Sequence, residues 1–404
     1  MTSRPHPGHE NRLSVDQTPG RQDAKSEEAV RGEASPEDLG VLASWRFAFL
    51  TARRWAALLC ATTVAMSPAA AWACTTVLVE RGGELAVGKS YDWSMGQGLV
   101  LINKRGVAKR SLPLKPGDRP LQWIARHASV TFNQYGREMP VGGMNDAGLV
   151  VEAMWLESSR YPPPDARPTT SELQWIQYLL DTCASAQQVV EAAVKVRVSL
   201  VYGKIHYLAC DRAGACVALE QIDGRTAITT GAGMKARTLT NSTYAESRRF
   251  LERHKGFGGA AAVPTGRSSL ERFVRASSLA TRPARGAIST AAFAILDSVS
   301  LGDYSKWNIV YLPKELRVYF RTRANPRIKS VELRRVEGAC SAPVKMLDVD
   351  ADLEGDVTGK LVDYTPAANR KLLEQTLRPM LKQLPAGALE LLAGYPARLP
   401  CTAK

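Results

Sequence analysis

The sequence predicts an α+β domain, and three observations carry that reading. Apolar and polar residues alternate around Val150, Leu208, Val217, Ile309 and Val318, the two-residue period of strands. The stretches Ser171 to Asp181, Ser185 to Val196 and Thr290 to Val299 show apolar residues at helical spacing, the first two behind a serine suited to cap a helix. With 404 residues, 45% hydrophobic and 23% charged, the chain is long enough to bury a large core. The same numbers exclude a collagen, a disordered chain and a multispan membrane protein.

The first forty residues are rich in Pro, Gly, Ser, Glu, Asp and Arg without apolar periodicity, so no structure is expected there. Arg46, Arg53 and Arg54 then precede an uncharged run from Trp55 to Val79 that contains Pro68 and the small-x-small sequence Ala71-Trp72-Ala73. A basic region, a short apolar centre and a small-residue end are the features of a secretory signal peptide, with cleavage expected between Ala73 and Cys74. The Thr, Ser and Pro content argues against a membrane span, so no stable membrane insertion of the mature form is expected. A lipoprotein signal also ends before a Cys, but Ala71 and Trp72 depart from its aliphatic-then-small pattern.

The chain carries 53 Lys and Arg against 39 Asp and Glu, and residues 1–73 hold eight of each, so the whole +14 excess lies in residues 74–404. Basic residues are interspersed with acidic ones and no nucleic-acid-binding signature is present, which favours a solvated basic surface over nucleic-acid binding. Seven cysteines occur: Cys60, Cys74, Cys183, Cys210, Cys216, Cys340 and Cys401. Cys210 and Cys216 flank an Asp-Arg-Ala-Gly turn between two strand-like segments, so they can face each other across a hairpin, although sequence alone does not set the disulfide connectivity. No Cys or His spacing suits a metal, and His127, His206 and His254 read as structural; neither metal nor cofactor is expected.

Export makes Cys74 the first residue, and an N-terminal Cys carries a nucleophile and a base together. Its α-amine titrates at about 7.7 to 8.0 and its thiol at about 8.5, so the neutral amine can take the thiol proton. For any Cys taken alone, a half-cystine or buried thiol is the simpler expectation. The following residues favour the chemical reading. Thr75 to Glu80 and Leu85 onward form two strands around Gly82-Gly83, a pair suited to a two-residue hairpin with positive φ. In that register Cys74 lies opposite Tyr91, and Asp92 is the next residue along. A carboxylate there can orient the new amine by charge-assisted hydrogen bonding.

Cys74, followed by Gly88-Lys89-Ser90-Tyr91-Asp92-Trp93, resembles the start of the choloylglycine hydrolase and penicillin V acylase family of N-terminal nucleophile hydrolases. Gly143-Met144-Asn145-Asp146-Ala147-Gly148-Leu149, Leu239-Thr240-Asn241-Ser242 and Ser269-Leu270-Glu271-Arg272-Phe273-Val274-Arg275 continue the resemblance in order, over about residues 74–335. It implies a four-layer αββα sandwich, cleavage of linear amide C–N bonds, and a set of roles. Cys74 would be the nucleophile, Asp92 the partner of its amine and thiol, Asn241 a side-chain donor to the oxyanion, and Arg272 the arginine that balances charge around the thiol. Read alone, Asn241 is a turn former and Arg272 a surface helix residue behind a Ser268/Glu271 capping box.

Departures from the family pattern bear on substrate. Lys89 stands where most members have an arginine, Trp155 where bile-salt hydrolases have an asparagine, and the stretch from Asn241 to Arg272 is shorter than in those enzymes. These features resemble the exported Gram-negative branch, whose members cleave penicillin V and N-acyl homoserine lactones. Tyr91, Trp93, Met95, Met154 and Trp155 are candidate linings of an apolar acyl pocket, with Lys89 beside them.

The expected organisation is a prefix and signal over residues 1–73, a hydrolase domain over 74–338, and an extension over 339–404 whose Thr365-Pro366 opens a helix through Leu377. The expected protein is a periplasmic or secreted acylase, matured by signal peptidase, acting on a small-molecule amide; a homo-oligomer is compatible with this reading. Conjugated bile acid hydrolysis is the alternative on the same fold. The non-enzymatic alternative is an exported binding domain with Cys74 lipidated or disulfide-bonded.

Overall fold

The computed structural model describes residues 73–112, 117–201, 203–283, 286–380 and 386–402. The expected polar prefix and signal peptide, with Cys60, lie outside the described residues apart from Ala73.

The chain begins with the hairpin expected from Gly82-Gly83. Both glycines have positive φ, +55° and +81°, and Thr75 pairs with Ser90 through to Arg81 with Glu84. The hairpin sits in a seven-stranded sheet of order Thr238–Leu239, Thr75–Arg81, Glu84–Asp92, Ser305–Leu312, Arg317–Thr322, Lys329–Glu332 and Gly355–Asp356. A nine-stranded sheet faces it, in the order Arg225–Thr230, Cys216–Ile222, Ile205–Cys210, Val150–Trp155, Gly142–Asn145, Ser129–Asn133, Leu99–Asn103, Lys345–Asp348 and Val362–Asp363. Cys210 and Cys216 are direct partners across one hairpin of this sheet and form a disulfide.

Strand alternation assigns each residue to a layer. In Glu84–Asp92, Leu85, Val87 and Tyr91 join the core between the sheets, together with Val100, Ile102, Val130, Phe132, Leu208 and Trp307. Ala86 faces the other way, toward the helices Ser269–Ala280 and Ile288–Ser298, through Ala276, Phe293 and Leu296. Gly88 faces the same layer, where its backbone packs close to the Leu296 side chain. The second sheet is covered by helices Glu172–Thr182 and Ala186–Lys195, capped by Ser171 and Ser185 as their sequences predict, with Trp175, Leu179 and Val189 buried against Val151 and Leu219. Helix, sheet, sheet and helix make the four-layer αββα sandwich of an α+β fold.

Residues after 338 are woven into this scaffold. Lys345–Asp348 pairs with Leu99–Asn103, and helix Pro366–Leu377, capped by Thr365, lays Leu372 over Leu99 and Leu101. Helix Ala388–Gly394 packs on it through Leu373, Leu377 and Ala393. The end of the chain is fastened by the Cys340–Cys401 disulfide and by hydrogen bonds from Ala108 N to Pro400 O and from Thr402 N to Gly106 O.

Candidate active site

Cys74 stands at the mouth of the strand hairpin, 4% exposed, where the edge pairing brings Leu239, and with it Thr240 and Asn241, alongside Thr76. Its backbone N donates to Asn241 Oδ1 at 2.7 Å. The same oxygen accepts from Arg272 Nη2 at 2.8 Å, while Asn241 Nδ2 donates to Trp155 O at 2.9 Å. Two donors on one atom and a carbonyl on the other fix the orientation of this amide, since guanidinium and peptide N–H groups only donate.

Arg272 is 1% exposed and fully engaged. Nη1 donates to Cys74 O at 2.8 Å and Thr75 Oγ1 at 2.7 Å, and Nε to Arg267 O at 3.2 Å. The capping box of Ser268 and Glu271 does form, and it sets the helix register that turns Arg272 inward. Ser269 in the first turn accepts from Asn241 N at 2.9 Å and Ser242 Oγ at 2.9 Å, which ties the Asn241 loop to the same helix.

Asp92 has a different contact from the one its sequence position suggests. The Cys74 thiol lies 3.9 Å from the backbone carbonyl of Asp92, not from its carboxylate. Strand alternation is the cause: even-numbered residues of Glu84–Asp92 face the helix layer, on the side of Arg272. The carboxylate accepts from Ser90 Oγ at 2.7 Å through Oδ1, while the buried Oδ2 has no partner in hydrogen-bond geometry. Burial raises the Asp92 carboxyl above its ordinary range; Ser305, Ser90, Arg272 and Lys89 oppose the shift. Burial likewise raises the Cys74 thiol, with Asp92 adding to the rise and Lys89 and Arg272 working against it.

Lys89 lies behind the site rather than on a substrate-facing wall. Fully buried between the sheets, it bonds the carbonyl of Ala153 and lies 3.6 Å from Glu152 Oε2. Burial pushes Glu152 up to about 7 against the pull of Lys89 and of the Tyr311 hydroxyl, which donates to it at 2.6 Å. His206 and Glu220 form a second buried pair that sequence reasoning left aside as structural. His206 Nδ1 is 3.0 Å from Glu220 Oε1 and Nε2 is 2.7 Å from Thr240 O, while Tyr244 N donates to Glu220 at 3.0 Å. The segment carrying Asn241 is therefore clamped on both flanks.

A cavity of about 590 Å³ opens at Cys74. Tyr91, Trp93, Met154 and Trp155 line it as expected, whereas Met95 packs against the adjoining core. Trp93 and Trp155 lie 6.0 Å apart as tilted rings, and Tyr91 stacks on Trp307 at 4.5 Å. Tyr135, Met139 and Val141 continue the wall, and Leu377, Leu391 and Leu392 close it from the chain's last helices. Sequence periodicity gives no sign of these last three, because they reach the cavity only through long-range packing.

No family model matches the chain. It is 25% identical over 267 residues to a penicillin V acylase of Pectobacterium atrosepticum, a match covering 55% of this chain and 70% of that protein. The solved penicillin V acylase of Agrobacterium tumefaciens superposes with a TM-score of 0.63 at 23% identity, over 72% of this chain and 98% of that one. A conjugated bile acid hydrolase variant from Clostridium perfringens gives 0.55 at 16% identity, over 72% and 97%.

Proposed function

We propose that the chain is an exported amide hydrolase of the choloylglycine hydrolase and penicillin V acylase type, whose nucleophile is the thiol of an N-terminal Cys74. One observation carries the reading: the Cys74 nitrogen, held by Asn241 Oδ1 beside a buried Arg272, lies on the rim of a largely apolar cavity.

Removal of the residues before Cys74 converts its peptide nitrogen into an amine. The buried Asp92 Oδ2 is the acceptor available to orient that amine and to stabilise it when protonated. The amine takes the thiol proton, and Sγ attacks the carbonyl carbon of the amide. Asn241 Nδ2 has two hydrogens, of which Trp155 O takes one, and the other serves the developing oxyanion. Collapse expels the leaving amine with the proton carried by the Cys74 amine, and water then hydrolyses the thioester to release the acid. Lys89 and Arg272 matter because burial alone holds the thiol in its unreactive form.

The indole of Trp155 and the aromatic rim favour a flat or flexible apolar acyl group, such as phenoxyacetyl or a fatty acyl chain, over a rigid steroid. Penicillin V and N-acyl homoserine lactones are therefore the expected substrate types. In direct competition, kcat/KM for one of these exceeds that for glycocholate by at least about tenfold, or about 1.4 kcal/mol in the transition state. Faster glycocholate cleavage would transfer the chain to the bile acid reading and leave the nucleophile in place.

A further inference from the structure

The cavity wall has two unlike parts: Tyr91, Trp93 and Trp155 beside Cys74 make an aromatic one, and Leu377, Leu391 and Leu392, from helices Pro366–Leu377 and Ala388–Gly394, make an aliphatic one. Those helices are held independently of the cavity. Leu372 and Leu373 are buried beneath them, Asn369 Oδ1 accepts from Arg137 N at 2.8 Å, Arg370 pairs with Glu390, and Tyr395 OH donates to Arg110 O at 2.8 Å. Among the described lining residues the one carboxylate, Glu172, has its oxygens engaged by Val201 N at 3.0 Å and Gly203 N at 2.7 Å. An aliphatic wall that is anchored from behind suits a hydrocarbon chain, because the side chains of Leu377, Leu391 and Leu392 do not compensate a polar substrate for lost hydration.

We propose that the C-terminal segment is the chain-length gauge of the acyl pocket: Leu391 and Leu392, backed by Leu377, form its end wall, and the preferred substrate carries an unbranched aliphatic acyl group that reaches from Cys74 to that wall. This rests on the amidase reading for the orientation of the chain, but the wall can be tested without turnover. Each methylene added inside an apolar cavity tightens binding about fourfold, until the chain meets the wall. Over-long chains then lose affinity, because a packed interior yields little.

The experiment has two arms. In the first, calorimetry measures binding of free saturated fatty acids of increasing length to mature Cys74→Ala protein. Affinity is expected to climb to an optimum and then fall. Leu391→Trp moves the optimum to a shorter chain and lowers the long-to-short affinity ratio about tenfold, whereas Leu392→Ala moves it to a longer one. In the second, kcat/KM is measured for N-acyl homoserine lactones of the same lengths with Cys74 intact, and the same displacement of the optimum is expected. Circular dichroism on each variant establishes that it is folded, and either variant alone suffices. An optimum that neither substitution moves overturns the gauge, whatever the activity. A moved optimum in the binding arm without cleavage of any acyl amide overturns the amidase reading and leaves the gauge standing.

Discussion

At the Cys74 end of the cavity, polar groups are locked in a closed network. Arg272 alone spans Cys74 O, Thr75 Oγ1 and Asn241 Oδ1 within 2.8 Å. The aliphatic part of the wall, Leu377, Leu391 and Leu392, is held from behind by helix packing and by a disulfide that closes 61 residues. The first end is stiffened by charge-assisted hydrogen bonds at contact distance, the second by apolar burial and a long cross-link. Chemistry and selectivity are thus supported by different forces, and a perturbation at one end should leave its mark in a different observable from a perturbation at the other.

The largest separation is expected from Cys74→Ala. Amide turnover is lost entirely, while the melting temperature stays within a few degrees, since a small buried side chain is exchanged for another. Loss of cooperative unfolding in this variant would make Cys74 a structural thiol and erase the contrast. At the other end, Cys340→Ser with Cys401→Ser reads out as stability. A closed loop of 61 residues is worth about 4 kcal/mol by chain entropy, against about 2 kcal/mol for the six-residue Cys210–Cys216 loop, so urea midpoints of the two double variants should differ in that order. No loss in the Cys340/Cys401 double variant would mean that the tail is held by packing alone.

Asn241→Ala sharpens the chemical end. It should lower kcat by roughly 10²- to 10³-fold with little change in KM, as for other donors to an oxyanion. A fall in melting temperature with normal kcat per folded molecule would reduce Asn241 to a clamp on the Cys74 backbone.

A smaller effect is expected from Glu152, which lies between the sheets behind the site. Its folded-state pKa of about 7 lies above the ordinary 4.5, so the folded protein binds this proton more tightly than the unfolded chain does. Stability from this group is therefore fully present below about pH 4.5 and is lost as pH rises toward 7, by about 3 kcal/mol in total. Glu152→Gln should flatten that part of a urea-midpoint profile across pH 4 to 8; an unchanged slope would show that other groups set it.

Much of the chemical end is legible in the residues themselves because it is built locally. Gly82 and Gly83 supply the positive φ that a two-residue turn needs, which fixes the pairing of Thr75 with Ser90 and places Cys74 beside the Tyr91–Asp92 step. Ser171, Ser185, Ser268 and Thr365 announce their helices by capping. Strand parity is less legible in function: the thiol meets the Asp92 backbone carbonyl while its carboxylate accepts from Ser90, alternation sends Lys89 to Glu152 across the sheet interface, and a single strand does not say which face the opposing sheet will cover. The tail is nearly silent. Leu391 and Leu392 reach the cavity only when helix Pro366–Leu377 folds back over Leu99 and Leu101 and helix Ala388–Gly394 packs on it, and the partner of Cys340 is set by that same return of the chain.

The central claim is that a free Cys74 amine and thiol together perform the chemistry. The most direct measurement is intact mass, with N-terminal sequencing, on the same purified sample whose acyl-amide turnover is recorded. The account predicts active protein that begins at Cys74 with an unmodified thiol. Full activity in protein that retains residues upstream of Cys74, or that carries a lipid thioether on its sulfur, would contradict it.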